Sequence, residues 1–160
     1  MTYHLPIISL CVFLILPGCD RFNPANPSLQ NDTTYAAIIM VDDLFSAGLA
    51  TDGAHIKSTS LSSDVLVLAV QYGGGCTHHD FKLFGSKLFL ESNPPQVEIV
   101  LSHNENGDQC KALITDSLRF SLTRLRELYQ SSYGSKGTLL LRLHEPGMQA
   151  PLSPLIRYEF

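Results

Sequence analysis

The feature that most constrains this chain is an alternation of apolar and polar residues with period two, repeated in segment after segment. Val97, Ile99, Leu101 and His103 fall on one face, with Glu98, Val100 and Ser102 on the other. Leu118, Phe120 and Leu122 alternate with Arg119 and Ser121, and Leu139, Leu141 and Leu143 with Leu140, Arg142 and His144. Ile156, Tyr158 and Phe160 alternate with Arg157 and Glu159, which predicts a paired strand at the C-terminal end. Period two places successive side chains on opposite faces of an extended strand, one face apolar. Val65 to Val70 differs, because its apolar run is continuous, which predicts a strand covered on both faces. Turn signals punctuate the segments: Asp52-Gly53, Ser92-Asn93-Pro94-Pro95, Asn106-Gly107, Tyr133-Gly134 and Pro146-Gly147. Asn106-Gly107 is the strongest hairpin cue. Between Asp116 and Gln130 the apolar residues fit either period, and a strand through Leu122 followed by a helical turn from Thr123, its N-cap, to Ser131 accommodates both. The expected fold is all-β: an antiparallel β-sandwich or small barrel of about seven or eight strands, with one short helical turn.

Composition separates the folded part from what precedes it. The 160 residues carry a formal net charge of −4 and 44% hydrophobic residues. Weak acidity argues against a nucleic-acid partner, and the apolar content argues against a disordered chain. The mean hydropathy of +0.08 comes largely from the start of the chain. Residues 1–18 contain no Asp, Glu, Lys or Arg, and Ile7 to Leu16 is apolar except for Ser9 and Cys11. That run is short for a membrane span of about 20 residues and fits the apolar core of a signal peptide. Leu16-Pro17-Gly18-Cys19 follows and resembles the lipobox of bacterial lipoproteins. The resemblance implies cleavage before Cys19, a diacylglyceryl group on its sulfur and an acyl chain, such as palmitate, on the new amine. The expected organisation is a signal peptide over 1–18, a lipidated Cys19 with a flexible tether over 19–34, and a single extracytoplasmic β-domain over 35–160. The tether DRFNPANPSLQNDTT is polar, and its two Asn-Pro steps disfavour helix. The expected location is the cell envelope, anchored to a bacterial membrane and facing the periplasm or exterior.

Of the four cysteines, Cys11 lies in the removed part and Cys19 carries lipid. Cys76 and Cys110 remain, an even pair in an oxidising compartment, and a disulfide between them is expected. In the chain-entropy model the loop so closed is worth about 3–4 kcal/mol.

Two polar clusters flank these cysteines: Tyr72-Gly-Gly-Gly-Cys76-Thr-His78-His79-Asp80-Phe81, and His103-Asn-Glu-Asn-Gly-Asp108-Gln-Cys110. The disulfide would bring them together. One reading is a zinc or copper site from His78, His79, His103 and Asp108, since imidazole and carboxylate suit both ions. The other reading is structural. Triple glycine before a bonded cysteine marks a close backbone passage. His79 is in phase with Phe81 and Leu83, and His103 with Leu101, as hydrogen-bonded core histidines would be, leaving His78 and Asp80 as a solvent-facing pair. Asn104, Asn106 and Asp108 alternate as calcium ligands do, but the downstream bidentate Glu is missing and a turn accounts for them. Gly73-Gly74-Gly75 lacks the Gly-Lys-Ser/Thr of a phosphate loop, and no Gly-x-Ser-x-Gly occurs.

Val67 to Leu122 resembles a set of uncharacterised bacterial lipoproteins. The matching residues are Tyr72 to Cys76 with His79 and Phe81, Glu91-Ser92-Asn93-Pro94, Leu101 to His103, Asp108 to Cys110, and Leu118 to Leu122. This implies a lipid-anchored β-domain and brings no activity with it. The expected function is a lipid-anchored extracytoplasmic binding or structural module without a catalytic site or cofactor. Its expected partners are the membrane, through the lipid, and a cell-envelope protein. The alternative is a metal-binding (Zn or Cu) lipoprotein using the His/Asp cluster.

Overall fold

A computed structural model describes residues 35–44 and 46–160, together with Met1. The expected signal peptide, Cys19 and the tether lie outside the described residues.

Among the described residues, the alternating segments form nine strands in two sheets. Strands β3 (Ala54–Ser62) and β4 (Val65–Gly74) make a tight antiparallel hairpin, its turn closed by Ser63 at φ +51°. Strand β7 (Ala112–Ser121) pairs with β4 along its whole length, from Val65 opposite Ser121 to Gly74 opposite Ala112. Strand β1 (Ala36–Ala37) joins the far edge of β7, giving the order β1-β7-β4-β3. The second sheet has the order β2-β5-β6-β8-β9, from β2 (Ile39–Val41), β5 (Asp80–Leu90), β6 (Gln96–Asn104), β8 (Thr138–His144) and β9 (Ile156–Glu159). The inner faces supply one core: Leu66, Leu68 and Val70 from β4, Val97, Ile99 and Leu101 from β6, and Leu139, Leu141 and Leu143 from β8. Helix α1 (Thr123–Tyr133) adds Leu125 and Tyr129 to it.

The all-β expectation holds, and the structure refines it in five respects. The sheets are mixed rather than antiparallel, because β1 runs parallel to β7, β2 to β5 and β6 to β8. Periodicity reports which face a residue occupies and carries no information about strand direction. The connection from β6 to β8 crosses through β7 and α1, long enough for a parallel return. Asn106-Gly107 does take the left-handed turn, with φ of +52° and +72°, but it carries the chain from β6 to β7 in the other sheet instead of closing a hairpin. Strand β4 is covered on one face. Leu66, Leu68 and Val70 are buried, whereas Val65, Val67 and Ala69 are half-buried on the outer surface. Strand β6 departs the other way. Val100 and Ser102, on its outward face, are buried, and the preceding loop bonds there through Ser102 Oγ–H to the Ala50 carbonyl at 2.9 Å. Finally, α1 runs to Tyr133 and its N-cap is Leu122, with no capping side chain. The Leu122 N–H is instead taken by the Asp64 carbonyl at 2.7 Å. The Asp64 carboxylate also accepts the Tyr158 hydroxyl at 2.6 Å and pairs with Arg126, so the hairpin turn, α1 and β9 meet on one residue.

Burial on one face of β4 makes its two faces energetically unequal. Leu68→Ala is expected to lower stability by about 2–5 kcal/mol, and Val67→Ala by less than half of that, as read from urea unfolding midpoints. Equal losses would contradict the placement of the core.

Candidate functional site

The two polar clusters converge where β4 leaves its sheet and β6 ends. Cys76 and Cys110 form a disulfide with Cα atoms 5.8 Å apart. Beside it lies Asp108, the organising group of this end of the fold. Its Oδ2 accepts the backbone N–H groups of Gly75 at 2.8 Å, Cys76 at 2.8 Å and Thr77 at 2.9 Å. Its Oδ1 accepts the N–H of Cys110 at 2.8 Å. A loop whose successive N–H groups converge in this way is an anion cradle, and here the anion is a side chain of the same protein. The glycines make it possible. Gly74 and Gly75 have φ of +145° and +115°, and a Cβ on Gly74 would stand 2.4 Å from His79 Nε2 and 3.1 Å from Asp108 Oδ2.

A row of rings extends from this carboxylate into the molecule. His79 Nε2 lies 3.3 Å from Asp108 Oδ2, and His79 Nδ1 lies 2.8 Å from His103 Nε2. His103 Nδ1 in turn lies 3.1 Å from the carbonyl oxygen of Asp52. Both imidazoles are buried. Phe81 stacks on His103 with ring centroids 4.3 Å apart and planes 2° from parallel, and Tyr72 leans on His79 at 4.8 Å. The backbone joins in, since His103 N–H donates to the Ala50 carbonyl and Asp52 N–H to the His103 carbonyl.

Proton counting shows what this row requires. Both of its ends, the carboxylate and the carbonyl, are acceptors, so its three gaps call for three protons on the two rings. Two neutral imidazoles bring two protons, which leaves one gap without a proton; a third proton closes every gap and places a positive charge opposite Asp108. Burial resists that charge and pushes the pKa of His103 down, helped by His79, while the Asp52 carbonyl and the charges of Asp52 and Glu105 oppose the shift. The pKa of Asp108 is held well below the usual carboxylate range, chiefly by the N–H groups of Cys110 and Thr77. Burial opposes this, and Cys76 and His79 reinforce it.

The four residues expected as metal ligands therefore separate. His79, His103 and Asp108 meet in the buried row, with every ring nitrogen of the two histidines at hydrogen-bond distance from a partner. His78 is exposed, its Nε2 3.5 Å from Asp80 Oδ1. Asn106 braces that pair, donating from Nδ2 to the His78 carbonyl at 2.8 Å and to Asp80 Oδ2 at 2.9 Å. The ligand atoms of Cys76, Asp108 and Cys110 also lie within 4.8 Å of one another, the two sulfurs being joined. Sequence reasoning misses Asp52, whose carbonyl ends the row and whose carboxylate accepts the Glu105 N–H at 2.8 Å. It reads locally as a turn residue, and only the fold carries it to His103. Alternation puts His144 on an outer face, and it is buried there against Glu98, which also holds Arg142.

Two outcomes follow from this geometry. Gly74→Ala is expected to lower stability by roughly 1–3 kcal/mol through backbone strain alone. It should cost more than Gly73→Ala, whose added Cβ meets nothing within 4 Å; parallel thermal unfolding of the two variants checks this. The second outcome concerns pH. His103 and Asp108 both bind protons less readily folded than unfolded, so the unfolded state takes up more protons on acidification. Stability should be level above about pH 7, decline below the unfolded histidine value of about 6.5, and decline again below about pH 4 as Asp108 contributes. Urea midpoints from pH 8 to pH 3 measure it, and the Asp108→Asn variant should lose part of the lower decline.

No protein-family model and no curated protein matches this sequence. Among solved structures, the fold is similar to that of a NigD-like immunity protein from Bacteroides caccae, with a TM-score of 0.55 at 17% identity, covering 79% of this chain and 63% of that one. A candidate lipoprotein from Bacteroides fragilis aligns with a TM-score of 0.48 at 13% identity, covering 78% of this chain and 70% of that one. At such identities the likeness to the NigD-like protein is one of fold.

Proposed function

We propose that the chain is a lipid-anchored, extracytoplasmic binding module that carries no catalytic chemistry. The observation that carries this reading is the engagement of the buried histidines. Each ring nitrogen of His79 and His103 faces a partner within the row at hydrogen-bond distance, so neither ring turns a nitrogen toward a substrate. Asp108, with its carboxylate in the cradle, is likewise a structural group. The Cys76–Cys110 disulfide supports an oxidising compartment. The apolar run of Ile7 to Leu16 and the Leu16-Pro17-Gly18-Cys19 sequence support export and lipidation.

A metal reading on a different set from the expected His/Asp cluster ranks second, favoured by the proximity of Cys76, Asp108 and Cys110. It requires the thiolates of the reduced protein, since a disulfide offers none. Zinc uptake by the reduced chain alone would support it.

Metabolic labelling of the full chain in a bacterial host with an alkyne-bearing fatty acid tests the anchoring. Wild-type protein is expected to take up label and to sediment with membranes. Cys19→Ala is expected to lose at least nine-tenths of the label, on the order of what removal of a sole acceptor gives. An unlabelled wild-type chain, or label retained by the variant, overturns the assignment.

A further inference from the structure

The edge strands leave one corner of the molecule open. Strand β1 covers only Phe120 and Ser121 of β7, and β2 covers only Phe84 to Ser86 of β5. Below them the two sheets part, and a crevice of about 360 Å³ enters between them. Tyr72, His79, Phe81 and Leu118 line it, with Asp116 as its carboxylate. This volume lies within the range of small-ligand sites.

Asp116 is the anomaly. It stands on β7 directly opposite Val70, in phase with Ile114, Leu118 and Phe120 on the inward side of the sheet, yet it is exposed at the mouth of the crevice. An acidic residue in an apolar row is costly unless it meets a partner or water. Its Oδ1 accepts the N–H of the adjacent Ser117 at 2.6 Å, and among the described residues no lysine or arginine pairs with it. Its charge acts on the Tyr72 hydroxyl, which burial and Asp116 together push to a higher pKa. Asp80, at the rim, has its side chain on the outer face of β5, 3.5 Å from the exposed His78. No lysine or arginine lines the crevice. The cavity thus combines the Asp116 carboxylate, the rings of Tyr72 and Phe81, and an apolar wall at Leu118. Ring faces attract cations, and a carboxylate at the mouth adds charge complementarity. The buried histidine row lies behind Tyr72 and Phe81 and fixes both rings.

We propose that this crevice binds an aliphatic ammonium group on a short hydrocarbon stem, as carried by a free alkylamine or by a lysine side chain. The stem lies along Leu118 and Phe81, and the ammonium lies between Tyr72 and Asp116. This inference rests on the reading of the chain as a binding module and names what the module takes.

The test uses the full chain in detergent micelles, with the Tyr72 ring resonances, assigned by Tyr72→Phe, as the reporter. The probes are n-butylammonium, neutral n-pentanol of similar size, and N-acetyl-lysine-methylamide. Saturable shifts with both ammonium compounds, at least about five-fold tighter than with n-pentanol, are expected. Asp116→Asn should weaken ammonium binding by about five-fold or more and leave n-pentanol unaffected. Asp116 is exposed, so the variant is expected to keep its unfolding midpoint; Asp80→Asn, on the outer face of β5, is expected to leave binding unchanged and serves as the control. Tighter binding of the lysine derivative supports a protein side chain as the natural source, and equal binding supports a free amine. The proposal is overturned if n-pentanol binds as well as n-butylammonium, if Asp116→Asn binds ammonium unchanged, or if no probe saturates. Any of these leaves fatty-acid labelling at Cys19 intact, so a failed ligand is separable from a failed anchor.

Discussion

The Asp108 carboxylate is the interaction on which this end of the molecule depends. Four backbone N–H groups converge on it from two loops that are far apart in sequence, and the same two loops are joined by the disulfide. The two devices act differently. The disulfide limits how far the loops can separate in any state of the chain. The carboxylate specifies their conformation, because its oxygens reward only the arrangement in which the N–H groups converge. With the loops set, His79 falls in line with His103, and that line in turn positions Phe81 and Tyr72. A polar residue thereby orders an aromatic cluster several residues away on other strands.

Much of this is legible in the sequence, and the remainder is not, for physical reasons that particular residues show. The strand faces can be read directly: Val97, Ile99, Leu101 and His103 do share one buried face, and Tyr158 does pair within a terminal strand. Cys76 and Cys110 can be matched by elimination. The phase of His79 with Phe81 places its ring inside, as found. What local pattern does not supply is direction and distance. The parallel pairing of β6 with β8 depends on where a long connection returns. The contact of His103 with the Asp52 carbonyl depends on the loop before β3 lying along β6. The same loop buries Ser102, which its alternation marks as outward. Asp116 shows the converse: its position in an apolar row is visible in sequence, but only the gap between the two sheets explains how a carboxylate is tolerated there.

The two sheets also differ in what covers them. The outer face of the four-stranded sheet is lined at its centre by Val65, Val67 and Ala69, small residues that shield one another yet remain half-buried. The outer face of the five-stranded sheet carries the Glu98, Arg142 and His144 group and the loop ending at Asp52. On their outer faces, polar side-chain pairing is thus richer on the five-stranded sheet than at the centre of the four-stranded one.

The short segment from Ala36 to Val41 has a consequence of its own. Its first two residues pair with β7, its last three with β5, and Ile38 between them is fully buried with its N–H held by the Ser121 carbonyl at 3.0 Å. Six residues therefore cover part of one margin of both sheets at once. Were this segment to peel away, two unpaired strand margins would open side by side, with a vacated apolar socket between them. Exposed margins of this kind recruit strands from other molecules, so loss of the segment would make the domain more prone to self-association and aggregation.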